Sequence, residues 1–180
     1  LFRSLATAVG AVSDEWNGFA VLHTAASRVG GLDLGFVPGE GGKDVAGMMG
    51  NLDVLFLLGA DEIDMSRIGN AFTVYIGSHG DNGAHRADVI LPGAAYTEKS
   101  GTWVNTEGRA QRGSRAVFPP GDAREDWAIL RALSDVLGQR LPYDSLAQLR
   151  DRIAEIAPHL GVLGITPAPW GEFGVAGGIS

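Results

Sequence analysis

Apolar residues recur along this chain with two periods, and the switches between them mark its elements. Trp16, Phe19, Ala20, His23 and Ala26–Ser27 fall at helical spacing, which predicts an amphipathic helix N-capped by Asp14 and stopped by Gly30–Gly31. Leu32 to Val37 reads as a short strand, Pro38 to Gly42 as a loop and Lys43 to Met49 as a short helical turn. Asp53 to Leu58 is a Leu-rich run between Asn51 and Gly59, the pattern of a buried parallel strand. Phe72 to Ile76 is a second such run, and Ala87 to Leu91, ended by Pro92, a third. Trp103 to Thr106 alternates too briefly to separate a strand from an extended passage. Arg124 to Leu137 predicts a helix with Trp127, Leu130, Leu133, Val136 and Leu137 on one side, closed by Gly138. Ser145 and Gln148 form a capping box that opens a helix through Ala157, with Leu146, Leu149, Ile153 and Ile156 as its buried stripe.

Strands alternating with helices predict an α/β fold, an open and mostly parallel sheet with flanking helices. The expected division is one lobe over residues 1–160 and an extended, Gly- and Pro-rich tail over residues 161–180. With 180 residues, the chain can bury roughly 70% of its unfolded surface. A composition 45% hydrophobic and 19% charged is that of a globular protein, which excludes intrinsic disorder as a whole. A net charge of −7 argues against sequence-independent nucleic-acid binding. The absence of cysteine removes disulfides, cysteine-ligated zinc and iron–sulfur clusters from the candidates. No apolar run approaches the roughly 20 residues of a membrane span, so no direct membrane insertion is expected. The start at Leu1 rather than Met leads us to expect a piece of a longer protein.

Candidate chemistry gathers at the strand ends. Leu58 runs into Gly59–Glu62, Ile76 into Gly77–Gly83 and Leu91 into Pro92–Ala95. In an open parallel sheet, ligand crevices lie outside the carboxyl ends of the strands, where all three loops belong. Neither a G-x-G-x-x-G nor a P-loop pattern is present, so the loops are expected to turn the chain rather than to hold a cofactor. His79, Asp81, His85 and Asp88 match no familiar metal-ligand spacing. Glu98, Asn105, Glu107 and Arg109 lie close together in a Gly-bearing segment. They are expected to form a structural ion-pair and hydrogen-bond network, with Arg109 paired to Glu98 or Glu107, rather than acid–base catalysts. Lys99 and Arg112 are expected to be solvated. Trp16, Trp103 and Trp127 read as packing residues, while Trp170 and Phe173 in the tail are candidate partner contacts.

The segment Ala87 to Gln111, ADVILPGAAYTEKSGTWVNTEGRAQ, also resembles a family signature. It is similar to a stretch of the large iron–sulfur subunit of respiratory NADH–quinone oxidoreductase (complex I). WNGFAVLHTAASRVGGLDLGFV from Trp16, GNLDVLFLLGAD from Gly50, YIGSHGDNGA from Tyr75 and AREDWAILRALSDVLGQRLP from Ala123 resemble the same subunit. A looser form, ADxxLP followed by E-x-x-G-T-x-x-N-x-E-G/R-R-x-Q, recurs in molybdopterin oxidoreductases, to which that subunit's C-terminal part is related. The resemblance implies a molybdopterin-oxidoreductase-like fold. It further implies a place in the peripheral arm of a complex that passes electrons from NADH to quinone and couples this to ion translocation. It implies other subunits of that arm, and an N-terminal iron–sulfur region, as partners. The location implied is the cytoplasmic face of the bacterial inner membrane or the mitochondrial matrix side. The 4Fe–4S and 2Fe–2S clusters of such a subunit sit in a cysteine-rich region, and this chain has no cysteine, so no cofactor, metal or catalytic residue is expected in it. Two alternatives stay open: a fragment of an active molybdopterin-dependent oxidoreductase, and a stand-alone interaction module.

Overall fold

A computed structural model describes residues 2–15, 18–26, 28–50 and 52–161. Trp16, Trp170, Phe173 and the expected tail beyond Gly161 lie outside the described residues.

The centre is a parallel sheet of three strands in the order β1 (Val54–Leu58), β2 (Phe72–Gly77), β3 (Val89–Pro92). Leu55 pairs with Thr73 and Leu57 with Tyr75, while Tyr75 pairs with Ile90 on the other side. Pro92 is the last residue of β3 rather than its stop, which an outer strand tolerates because no ladder bond needs its missing N–H. Strand alternation turns Leu55 and Leu57 to one face, where they pack with Tyr75, Ile68 and Ala71. Met49, Leu52, Ile63, Met65, Ala84 and Ala87 close this core from the connecting segments. The opposite face of β1 departs from the expectation of full burial: Val54, Phe56 and Leu58 alternate out and stay about half exposed. The crossover from β1 to β2 carries a 3₁₀ turn, Met65–Arg67, and that from β2 to β3 carries the short helix α4 (Asn82–Arg86).

Trp103 lies in a strand after all. β4 (Gly101–Val104) pairs antiparallel with β5 (Ala110–Gly113), and Asn105 to Arg109 turn the hairpin. Val104 anchors a second small core with Ala157 and Leu160, flanked by Val29, Ala110 and Ile153.

The N-terminal expectations need correction. Among the described residues three short helices precede the sheet: α1 (Phe2–Ala8), α2 (Arg28–Asp33) and α3 (Val45–Met48). Only α3, capped by the Asp44 side chain on Gly47 N–H, matches an expected element. Residues 18–26 are not helical, and Val21 and Leu22 are exposed. Short helices draw their stability from packing an apolar face, and a periodic stripe without a surface is not enough. Gly30 and Gly31 sit inside α2 instead of ending it. At Gly30 a Cβ would lie 3.3 Å from Val104 Cγ2, so glycine permits the close approach of helix to hairpin. Leu32 to Val37 is not a strand but the end of α2 and its closing turn. Gly35, at φ +70°, donates to Leu32 O at 2.9 Å, and Phe36 donates to Gly31 O at 2.8 Å, the paired bonds of a glycine-terminated helix.

Two C-terminal helices complete the lobe. α5 (Asp126–Val136) ends at Gly138 as expected. Its expected stripe ends early, however: Val136 is 84% and Leu137 67% exposed, because no described element covers the last turn. In α6 (Leu146–Ile156) the stripe residues Leu146, Leu149 and Ile153 are only half-buried, and Ile156 is exposed. Ser145 Oγ accepts from Gln148 N–H, but Gln148 Oε1 accepts from Asp144 N–H, one residue earlier than a capping box requires.

Candidate functional site

The three strand-end loops converge at the carboxyl edge of the sheet. Gly59, at φ +63°, turns the chain out of β1 and brings Asp61 to the start of α4, where Asp61 Oδ2 accepts from Gly83 N–H at 2.7 Å. Gly83 is buried because a Cβ there would lie 2.8 Å from the Tyr75 ring and 2.9 Å from Asp61 Cβ. A Cβ at Gly77 would overlap the Tyr75 phenol. At Gly93 a Cβ would lie 3.0 Å from Asp126 Oδ1 and 3.3 Å from Gly77 N, so the second and third loops touch through backbone. The Tyr75 ring thus packs against the Gly77 and Gly83 backbone, beside the carboxylates of the strand-end loops. Burial raises the Tyr75 hydroxyl above its ordinary pKa, and the charges of Asp61, Asp81 and Glu62 raise it further. A backbone hydrogen bond from His79 opposes that shift. Tyr75 is therefore a neutral phenol at physiological pH.

The four residues weighed as metal ligands serve elsewhere. Asp88 Oδ2 accepts from Thr73 N–H at 2.8 Å and lies 3.7 Å from Arg86 Nη1. His79 Nδ1 is 3.0 Å from Ser78 Oγ, a contact between sequence neighbours. His85 and Asp81 share only the backbone bond of α4. Among the described residues, no group of three or more His, Cys, Asp or Glu side chains comes together as a metal site.

The segment from Glu98 to Arg109 is tied by side-chain to backbone hydrogen bonds rather than by its charges. Glu98 Oε2 accepts from Ala95 N–H at 2.9 Å and closes the loop after β3. Asn105 Oδ1 accepts from both Glu107 N–H at 3.0 Å and Arg109 N–H at 2.9 Å, folding the hairpin turn on itself. Gly108, at φ +85°, completes that turn. Among the described residues no ion pair joins Arg109 to Glu98 or Glu107, so that expectation is overturned. The turn holds Glu107 and Arg109 outward, where water solvates both charges. Lys99, expected in solvent, pairs with Asp126 at the head of α5. Trp103 and Trp127 line a cleft of about 280 Å³ between β4 and the last two helices, with this ion pair beside them.

The ion-pair cluster lies instead between α5 and α6. Arg131, only 7% exposed, donates through Nε to Tyr143 O at 2.9 Å and through Nη2 to Asp144 Oδ1 at 2.6 Å. Its Nη1 lies 2.7 Å from Asp135 Oδ2, an ionic contact without hydrogen-bond alignment. Arg140 reaches the same Asp144 at 2.8 Å. Asp135 first, then Asp144, hold the Arg131 guanidinium charged; Arg131 and Arg140 hold the Asp144 carboxyl below the usual carboxylate range. The sequence signal was available for Arg131–Asp135, an i,i+4 pair on α5.

The profile of molybdopterin oxidoreductases matches residues 1–136. The chain belongs to the molybdopterin oxidoreductase family. It is 53% identical over 160 residues to the mitochondrial 78 kDa subunit of NADH-ubiquinone oxidoreductase from Neurospora crassa, covering 88% of this chain and 21% of that one. It is 51% identical over 152 residues to the 75 kDa subunit from Reclinomonas americana, covering 82% and 22%. With the mitochondrial 78 kDa subunit from Candida albicans the identity is 56% over 149 residues, covering 82% and 20%. The resemblance to the large complex I subunit therefore extends over most of the chain, which spans about a fifth of the length of these relatives.

The cofactor implied by the family, a molybdenum-bearing pterin dinucleotide, does not fit the residues of this crevice. Its phosphates need free N–H donors and cations. Here Asp61 already holds the Gly83 N–H, and Asp61, Glu62 and Asp81 present like charge to a phosphate. Arg86, the cation on α4, is turned to Gly69 O and Ala71 O.

Proposed function

We propose that this chain is a structural lobe in the peripheral arm of an NADH–quinone oxidoreductase, itself without redox centres. In the assembled complex, electrons would pass from NADH through other parts to quinone, coupled to ion translocation. The lobe would sit on the cytoplasmic or matrix side of the membrane, and its own contribution would be to hold neighbouring parts of the arm in place. One observation carries the reading: identities of 51–56% to the 75 and 78 kDa subunits extend over most of the chain. In the described residues, no helix is long and apolar enough to cross a membrane, in keeping with a peripheral position.

The test is a purification through an affinity tag on the full-length polypeptide. NADH-to-quinone activity should copurify with the tag, and the preparation should contain iron without stoichiometric molybdenum. Recovery of the tagged polypeptide without any NADH-oxidising partner would remove the assignment to the arm. A second reading, an active molybdopterin-dependent oxidoreductase, is favoured by the family match over residues 1–136. Stoichiometric molybdenum, or a pterin released on denaturation, would establish it instead.

A further inference from the structure

The segment between β2 and β3 carries an Asn–Gly pair, Asn82–Gly83, where α4 begins. Asparagine is chemically labile before glycine, because no Cβ shields the next backbone nitrogen. That nitrogen attacks the asparagine Cγ and closes a five-membered succinimide. Its proton leaves with the side-chain amide as ammonia, and water then opens the ring at either carbonyl, to aspartate or to an isoaspartyl linkage. Three features of the fold oppose the first step here. Gly83 N–H is already donated to Asp61 Oδ2 at 2.7 Å, and loss of that proton would set an anionic nitrogen against a carboxylate. Asn82 is helical, and at a helical ψ of about −42° its Cβ and the Gly83 nitrogen lie well out of the common plane that the ring requires. Gly83 itself is buried between the Tyr75 ring and Asp61, and its carbonyl accepts from Ala87 N–H at 3.0 Å, so turning this peptide disrupts α4. Asn82, by contrast, is exposed to water.

We propose that Asn82–Gly83 is a deamidation site held closed by Asp61, so that its modification records the opening of α4. Asp81, at the N-cap position, makes no side-chain cap bond, and Asp61 from the loop after β1 takes that place. The guard is therefore a tertiary contact, made only while the two loops stay together. The product changes the site. Hydrolysis leaves a new carboxylate at position 82, in a loop where the charges of Asp61, Asp81 and Glu62 already bear on Tyr75. The isoaspartyl form also lengthens the main chain by one carbon beside the nitrogen that Asp61 grips, so α4 cannot close on it in the same register. A loop that opens long enough to react does not return.

Ageing the full-length polypeptide at mildly alkaline pH tests this, with mass spectrometry of the tryptic peptide Ile68–Arg86 to follow Asn82. In the folded polypeptide Asn82 should deamidate about 100-fold more slowly than in denaturant. Equal rates in the two states overturn the proposal. Asp61→Ala should raise the rate in the folded state about tenfold, because the bond it removes is made to a charged group. An unchanged rate overturns the proposal, and so does a slower one, which would make the carboxylate a base that promotes the attack. Asp61→Asn keeps an acceptor oxygen without the charge and should raise the rate by less. If Asp61→Ala does not fold, Asp61→Asn decides alone, and a rate no higher than that of the wild type overturns the proposal. Amide exchange at Leu57 and Tyr75, inside the sheet, separates local from global opening. A loss of protection there equal to the gain in deamidation would mean that Asp61 guards the whole lobe rather than this bond, and would overturn the proposal too.

Discussion

The hairpin turn at Asn105–Arg109 and the corner between α5 and α6 both gather charged side chains, yet they hold together by different means. In the turn, one neutral amide oxygen accepts two backbone N–H groups, and the charged residues point into water. At the corner, a guanidinium removed from solvent collects a carbonyl and two carboxylates. Charge density in sequence is thus a poor guide to ion pairing. Residues within one tight turn are too constrained to face one another, whereas residues a helical turn apart, or on packed helices, are brought together by the geometry of the fold.

Removing Arg131 should have the largest effect. Arg131→Ala breaks the bond to Tyr143 O along with both carboxylate contacts, and should unfold at a lower temperature than any other single variant named here. Arg131→Met retains much of the packing of the stem and separates that loss from the loss of charge. If calorimetry gives Arg131→Ala the wild-type midpoint, the corner is no more structural than the turn.

Asn105→Ala leaves two turn amides without their acceptor. By analogy with a lost helix cap, this should cost about 0.5–2 kcal/mol in denaturant unfolding. Asn105→Asp keeps the acceptor oxygen and should cost less. Equal losses in both variants would mean that the amide oxygen is not what holds the turn.

Acid should sharpen the contrast further. Folding holds the Asp144 carboxyl below the usual range, through Arg131 first and Arg140 second. The unfolded chain thus binds this proton more readily, and the contribution is fully present above the unfolded value of about 4 and lost as pH falls through the depressed folded value. The stability difference between wild type and Asp144→Asn should therefore be constant near neutral pH and shrink on acidification below about pH 4. A difference independent of pH would show that Asp144 acts through shape alone.

Arg109→Ala is the smallest change and the sharpest control. With no ion pair among the described residues and an exposed side chain, it should alter stability by no more than about 0.5 kcal/mol. A loss of several kcal/mol would restore the buried pair that the geometry excludes.

Much of the fold was legible in the order of the residues. The three parallel strands stand within a few residues of their apolar runs, because a strand of a parallel sheet needs an uninterrupted β-forming stretch and a turn at each end. The stops at Gly59 and Gly138 were equally readable, since each takes a positive φ that side chains disfavour. The region before Gly50 was not. Its apolar spacing suits a helix over residues 14–27, but none of its three short helices contains a buried residue, and periodicity without a packing surface decides nothing. At the site, the convergence of the three loops followed from strand order. The packing of Tyr75 did not, because it reads as an ordinary strand residue until Gly77 and Gly83 are seen against its ring.

The residues by themselves determined the α/β class, the strand runs, the family signature from Ala87 to Gln111 and the lack of cysteine ligands. These are local or compositional properties that any arrangement of the chain must respect. Only the tertiary structure decided that Gly30 serves close packing on Val104, that Arg131 rather than Arg109 is the paired arginine, and that Asp61 holds the Gly83 N–H beside the Tyr75 ring. It also decided that β1 is an outer strand of the sheet among the described residues. Each of these depends on which distant residues share a few ångströms of space, and sequence spacing carries no such distance.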